Sequence, residues 1–160
     1  MFVSRKMLLS IIAAVLFFGV IGYSLLLTKD KIGGPAEAQS VSANEADLLA
    51  RLIAAEAQGE PYEGQVAVGA VILNRVKDPQ FPNSLSGVMH QPHAFESVTN
   101  GLVWQRSPDD SAIRAARDAM NGWDPTQGCL FFWNPSKPIS SKWIWSRTVV
   151  RRIGSHVFAR

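Results

Sequence analysis

Cysteine, histidine and late acid are the scarce commodities of this chain. One cysteine, Cys129, stands among 160 residues. It can close no intrachain disulfide, so packing alone must hold the fold. There are three histidines. His90 and His93 flank Pro92, which breaks helical presentation, and no third ligand stands at a diagnostic metal spacing. Neither a metal nor a cofactor is expected. After Asp124 there is no acid at all, while Lys137, Lys142, Arg147, Arg151, Arg152 and Arg160 follow. The asymmetry is local: residues 39–160 hold 12 Lys and Arg against 11 Asp and Glu. Such a basic end suits a polyanion or a solvated face. Internal repeats and low-complexity tracts are also missing, so one compact domain is expected.

The long apolar run is at the start. Residues 7–27 carry no charge, and as a helix they would span roughly 31 Å, about one bilayer core. Arg5 and Lys6 precede the run, which keeps the N-terminus inside and exports the rest. The favoured reading is a signal anchor over residues 1–28. The alternative is a signal peptide cut after Ala38, where Ala36-Glu37-Ala38 has the small-residue pattern. Either way the working part lies outside the cytoplasm, which argues against a nucleic acid partner and for contact with the membrane through the N-terminal helix. Residues 29–41 read as a linker, and 42–160 as the working domain.

Within that domain, Ser42-Ala43-Asn44-Glu45 reads as a capping box that opens a helix over about 45–58. A second helix is expected over about 62–76. Its middle, Val66 to Leu73, is apolar all round, the mark of a buried central helix. A short helix is expected over 85–90, then an irregular segment over 93–101 forced by Pro92, and a further helix after Ser107-Pro108-Asp109-Asp110, read as another capping box, through Met120. Leu130 to Trp133 and residues 143–158 read as strands, the latter broken near Gly154. Helices first and a small sheet last give an α+β class. If Trp143 and Trp145 lie in a strand, they point to one side.

One acid stands out. In the first helix Leu48, Leu49, Leu52 and Ile53 recur at spacings of three and four, and Glu56 falls on the same stripe. A carboxylate on a buried face takes up a proton or finds a partner. A carboxylic acid that stays protonated near neutrality is what a general acid in glycoside cleavage requires. A structural glutamate bonded to backbone or arginine is the competing reading. Glu60 and Glu63 bracket Pro61 near what read as exposed helix ends. Glu96, in a loop beside Phe95, is the candidate second acid of a two-carboxylate mechanism. With one acid only, the same residue would protonate the glycosidic oxygen and then act as base toward an internal hydroxyl.

The five tryptophans all fall in the second half. Indole faces stack on sugars and amides read their hydroxyls, which makes Trp133 and Asn134 candidates. His156 could serve a groove or the core. Cys129 paired with His156 would be a thiol hydrolase, but its apolar setting favours a packing thiol.

Residues Leu52 to Val68, with Val71-Ile72-Leu73-Asn74-Arg75, resemble the cell wall hydrolase family of the spore cortex-lytic enzymes SleB and CwlJ. The resemblance continues through Phe81-Pro82, the Gln91-to-Gly101 loop with Phe95, Phe132-Trp133-Asn134-Pro135 and Ile153-Gly154-Ser155-His156-Val157-Phe158. It implies a lysozyme-like helical core of the lytic-transglycosylase type, with a small antiparallel sheet and a groove for peptidoglycan glycan strands. It implies Glu56 as catalytic acid/base at the bond between N-acetylmuramic acid and N-acetylglucosamine, leaving an anhydro end. Tyr62, Phe95, Glu96, Trp133, Asn134 and His156 are then the expected substrate contacts. SleB-type members depend on muramic-lactam in spore cortex. Here a membrane segment, not a separate wall-binding domain, is expected to locate the enzyme, so a vegetative wall substrate stays open. A regulatory partner protein is unknown. The other classes are a stem-peptide amidase using a metal or Cys129, and a non-catalytic, membrane-tethered wall-binding module.

Overall fold

The computed structural model describes residues 35–138 and 142–160, with side chains from residue 42 onward. The apolar run 7–27, and with it the choice between anchor and cleaved leader, lies outside the described residues. Among the described residues no helix is long and apolar enough to cross a membrane. The chain runs α1 (Pro35–Glu56), α2 (Tyr62–Lys77), α3 (Leu85–Met89), α4 (Glu96–Thr99), α5 (Leu102–Gln105) and α6 (Asp110–Met120). Then come β1 (Phe131–Trp133), a 3-10 helix (Lys142–Ser146), β2 (Val149–Ile153) and β3 (His156–Ala159). The order is α+β, helices before sheet.

The core forms around α2. Val66, Ala67, Val68, Val71 and Ile72 are all fully buried, and Leu49, Leu52 and Ile53 of α1 meet them. Each such side chain contributes about 1.5–3 kcal/mol through its removal from water. The helices approach closely at Gly69. A Cβ there would stand 2.9 Å from Ile53 Cδ1 and 3.2 Å from Ala119 Cβ, so glycine lets α1 and α6 close on α2 without displacing either side chain.

The sheet is antiparallel with order β1-β3-β2. Central β3 is buried along its length. Phe132 pairs with Phe158 and Trp133 with Val157; a register irregularity separates Val149 from Arg151 on β2. Alternation sorts the two faces of the sheet. Phe132, His156 and Phe158 stack on one another, facing the helical core. Trp133, Val157 and Ala159 form a second, smaller cluster with Phe131 and Ile144.

Three local expectations are corrected. Helix α1 begins at Pro35, inside the stretch read as a linker and ahead of the box at Ser42. Ala36, Glu37, Ala38 and Gln39 are good helix formers, and proline fits a first helical position. The cap of α6 is Asp109 alone, whose carboxylate accepts the Ala112 N–H at 2.8 Å; Ser107 and Pro108 precede the helix. Trp143 and Trp145 lie in a 3-10 helix, not a strand. Short-range turn bonds such as Ser146 Oγ to Trp143 O at 2.7 Å replace a ladder there.

Candidate active site

Glu56 is the last residue of α1. The chain turns at once: the Ala57 N–H still reaches Ile53 O at 2.8 Å, the Glu60 N–H reaches Ala57 O at 3.1 Å, and Gly59 takes φ 78°. The apolar stripe of α1 thus delivers Glu56 to the helix end, where packing stops and an open cavity of about 310 Å³ begins. Glu56, Arg75, Glu96, Ser97, Phe132, Trp133, Asn134, Lys137 and His156 are on its wall. Burial pushes the Glu56 carboxyl above its ordinary value of 4.5, and the negative charge of Glu96 pushes the same way. The Ser97 hydroxyl, donating to Glu56 Oε1 at 2.5 Å, and the nearby Lys137 pull back. The acid is half-buried, oriented and biased toward its protonated form.

Beneath it lies Arg75, 8 % exposed. Its Nε donates to Leu130 O at 2.7 Å. Its guanidinium sits over the rings of Phe81, Phe95 and Phe131, 5.4–5.8 Å from their centroids. Burial lowers its pKa to about 10, and Glu56 opposes that shift. It remains a cation at neutral pH, so a fixed positive charge stands ready for Glu56 when that residue gives up its proton. In the sequence Arg75 stands out only as part of the family resemblance, Lys137 only as one cation of the basic end, and Ser97 not at all. In the last turn of α2 Arg75 alone is buried; Asn74 and Val76 are half-buried and Lys77 is exposed.

Of the residues expected at the site, Glu56, Glu96, Trp133, Asn134 and His156 come together on one cavity. Glu96 opens α4 and is exposed. Trp133 is buried, and its indole N–H has no partner among the described residues. Asn134 Oδ1 accepts the Ser136 N–H at 2.9 Å. Tyr62 and Phe95 are elsewhere. The Tyr62 hydroxyl donates to Asp118 at 2.7 Å and its ring packs on Trp123. Phe95 is a core residue under Arg75. Cys129 is fully buried, its thiol donating to Thr126 O at 3.2 Å, and burial raises its pKa. A nucleophilic thiolate is thereby disfavoured.

Glu60 corrects a further expectation: it is not at an exposed end. Its side chain and that of His156 are each 8 % exposed, with Oε1 and Nδ1 3.5 Å apart. Glu60 also accepts the Ser155 N–H at 2.9 Å and the Ser155 hydroxyl. The α1–α2 turn is in this way latched to the β2–β3 turn. Gly154, at φ 58°, makes the approach possible; a Cβ there would collide with Glu60 Oε2. The latch sets the ring of His156 against Phe132 on the cavity wall. Burial lowers the His156 pKa, Glu60 raises it, and Lys137 lowers it; Nδ1 has no hydrogen-bond partner among the described residues.

Comparison with known proteins bears on this geometry. The spore cortex-lytic enzyme of Bacillus subtilis is 49% identical over 117 residues, 73% of this chain and 38% of that protein. The chain spans less than half the length of the spore cortex-lytic enzymes it matches. The cell wall hydrolase CwlJ of the same organism is 36% identical over 121 residues, 71% of this chain and 83% of that one. Among solved structures, the catalytic domain of the Bacillus cereus SleB protein superposes with a TM-score of 0.68 at 47% identity, covering 74% of this chain and 91% of that domain. The catalytic domain of the germination-specific lytic transglycosylase SleB from Bacillus anthracis gives 0.68 at 46%, covering 73% and 94%. The helical core with its small antiparallel sheet is that of the SleB catalytic domain. The cell wall hydrolase family model matches residues 59–159, so the polypeptide whose α1 ends in a half-buried acid over an open cavity belongs to the cell wall hydrolase family.

Proposed function

We propose that this domain cleaves the glycan strands of peptidoglycan at the bond between N-acetylmuramic acid and N-acetylglucosamine, with Glu56 as general acid and then base. The observation that carries the reading is the Glu56 environment: a carboxyl whose pKa burial raises, held by Ser97, at the edge of an open cavity. Protonated Glu56 donates to the glycosidic oxygen as the bond breaks. The resulting carboxylate faces the Arg75 and Lys137 cations, which lower the energy of the charged form. It then takes a proton from the C6 hydroxyl of the muramic residue, whose oxygen closes on C1 to give the anhydro end.

A single half-buried acid supports this internal route over hydrolysis. Glu96 shares the cavity but is exposed, so it lacks the environment that prepares Glu56. Trp133, Asn134 and His156 are the proposed sugar contacts beside it. Relatives named spore cortex-lytic enzymes support cortex peptidoglycan as substrate. The apolar run at 7–27 supports an anchor or leader that places the domain on the wall side of the membrane. The test is mass spectrometry of muropeptides released from cortex and from vegetative sacculi. Anhydro-muramic ends, released by the wild type and not by Glu56→Gln, are expected. Reducing ends would replace transglycosylation with hydrolysis. Cleaved stem peptides with intact glycan would overturn the reading.

A further inference from the structure

The outer face of the sheet bears a surface that the chemistry at Glu56 does not use. The 3-10 helix Lys142–Ser146 lies over β1 and places two large indoles in solvent, Trp143 at 51% exposure and Trp145 at 55%. Neither is loose. Trp143 stands edge-on to Phe131, with centroids 5.5 Å apart and planes at 81°. Trp145 stands edge-on to Trp133 at 5.8 Å and 75°. The Arg147 guanidinium is held over both Phe131 and Trp143, at 4.4 and 4.9 Å from their centroids. Aromatic side chains fixed in place and left exposed mark a contact surface, since burying them would be favourable and the fold does not do it.

Two observations select the occupant. The first is continuity: Trp145 packs on Trp133, which is itself on the wall of the Glu56 cavity and has a buried indole N–H without a partner among the described residues. A ligand leaving the cavity past Trp133 meets Trp145 next. The second is charge. Lys137 is on the cavity wall, Lys142 and Arg147 flank the two indoles, and no acid occurs after Asp124. A chain of sugar rings bearing carboxylates answers both features, its C–H faces on indole and its carboxylates near Arg147 and Lys142.

We infer that Trp143, Trp145 and Arg147 form an outer binding platform for the carboxylate-bearing glycan strand beyond the bond that is cut, entered past Trp133. This rests on the reading of Glu56 as a glycan-cleaving acid, and it adds a reason for preferring long, anionic strands. An anionic membrane surface is the rival occupant of a basic, indole-rich face.

The test uses the full chain. In a Glu56→Gln background, binding to purified sacculi is followed by co-sedimentation, with and without Trp145→Ala. Binding is expected to weaken about ten-fold, the loss of one well-placed stacking contact. Arg147→Gln is expected to weaken it about three-fold and to flatten its salt dependence. In the active enzyme, Trp145→Ala is expected to raise KM on sacculi more than on short soluble fragments, with kcat falling less than KM rises; Trp145→Phe recovers part of the loss. Unchanged sacculus binding, or equal losses on long and short substrates, would overturn the platform. So would binding to phosphatidylglycerol vesicles that Trp145→Ala abolishes while sacculus binding stays. If Glu56→Gln releases the same sugars as wild type, the catalytic reading fails, and the co-sedimentation still decides the platform.

Discussion

Glu56 and Glu60 are one helical turn apart in sequence and occupy opposite kinds of site. Glu56 has an apolar stripe behind it and an open cavity in front, with one hydroxyl donor, Ser97, to hold it. Glu60 is enclosed and bonded, accepting the Ser155 N–H and the Ser155 hydroxyl, with the His156 ring 3.5 Å away. Burial alone does not make an acid reactive. What distinguishes Glu56 is burial that raises its pKa together with access for a substrate. Glu60 has lost access and gained partners, and its work is to hold His156 and the β2–β3 turn in place.

The largest way to break this comparison is Glu56→Gln. Turnover on peptidoglycan is expected to fall by about 10²–10⁴-fold, the usual contribution of a general acid. The variant is also expected to be more stable than wild type above the carboxyl's titration. The sign follows from linkage. The folded state holds the Glu56 proton to a higher pH than the unfolded state, whose value is near 4.5. The stabilisation is therefore complete below that value and is lost as pH rises through the folded value. Urea midpoints measured from pH 4 to 8 should show the wild-type slope and its reduction in Glu56→Gln.

Next in size is Gly154→Ala, which attacks the other acid. The new Cβ would collide with Glu60 Oε2 and stand 2.7 Å from Pro61 Cδ, in a backbone at φ 58°. A loss of about 2–3 kcal/mol in unfolding free energy is expected by denaturant titration.

Ser97→Ala sharpens the comparison on the Glu56 side. It removes a bond that favours the carboxylate, so the Glu56 pKa rises further and the alkaline limb of the kcat–pH profile moves to higher pH. A limb that moves down, or does not move, contradicts the assignment of that limb to Glu56. Smallest is Tyr62→Phe. It removes the 2.7 Å bond to Asp118 away from the cavity and should cost about 0.5–1.5 kcal/mol in stability, with KM for sacculi as in wild type.

The contrast also explains which parts could be read in advance. The placement of Glu56 is a local fact: spacing along one helix put it on the stripe of Leu49, Leu52 and Ile53, and those residues are indeed buried. The central helix was legible for the same reason. Glu60 was not, because its partner Ser155 is 95 residues away, and nothing near Pro61 signals a hairpin that returns there. Ser97 reaches Glu56 across 41 residues and was silent in the same way. Trp143 and Trp145 misled by type, since β-branched and aromatic residues read as strand until the turn bonds of the 3-10 segment are seen. Tyr62 and Phe95 came with the family resemblance, which preserves residues for packing as readily as for contact; here they pack on Trp123 and under Arg75.

The most direct test is titration of the Glu56 side-chain carboxyl itself, by carbon NMR of enzyme labelled at glutamate, with Glu56→Gln to assign the signal. The account predicts a midpoint clearly above the ordinary glutamate value of 4.5 that rises again in Ser97→Ala. A midpoint at or below that value, insensitive to Ser97, would mean that Glu56 is already ionised when substrate arrives, and the proposed proton donor would be lost.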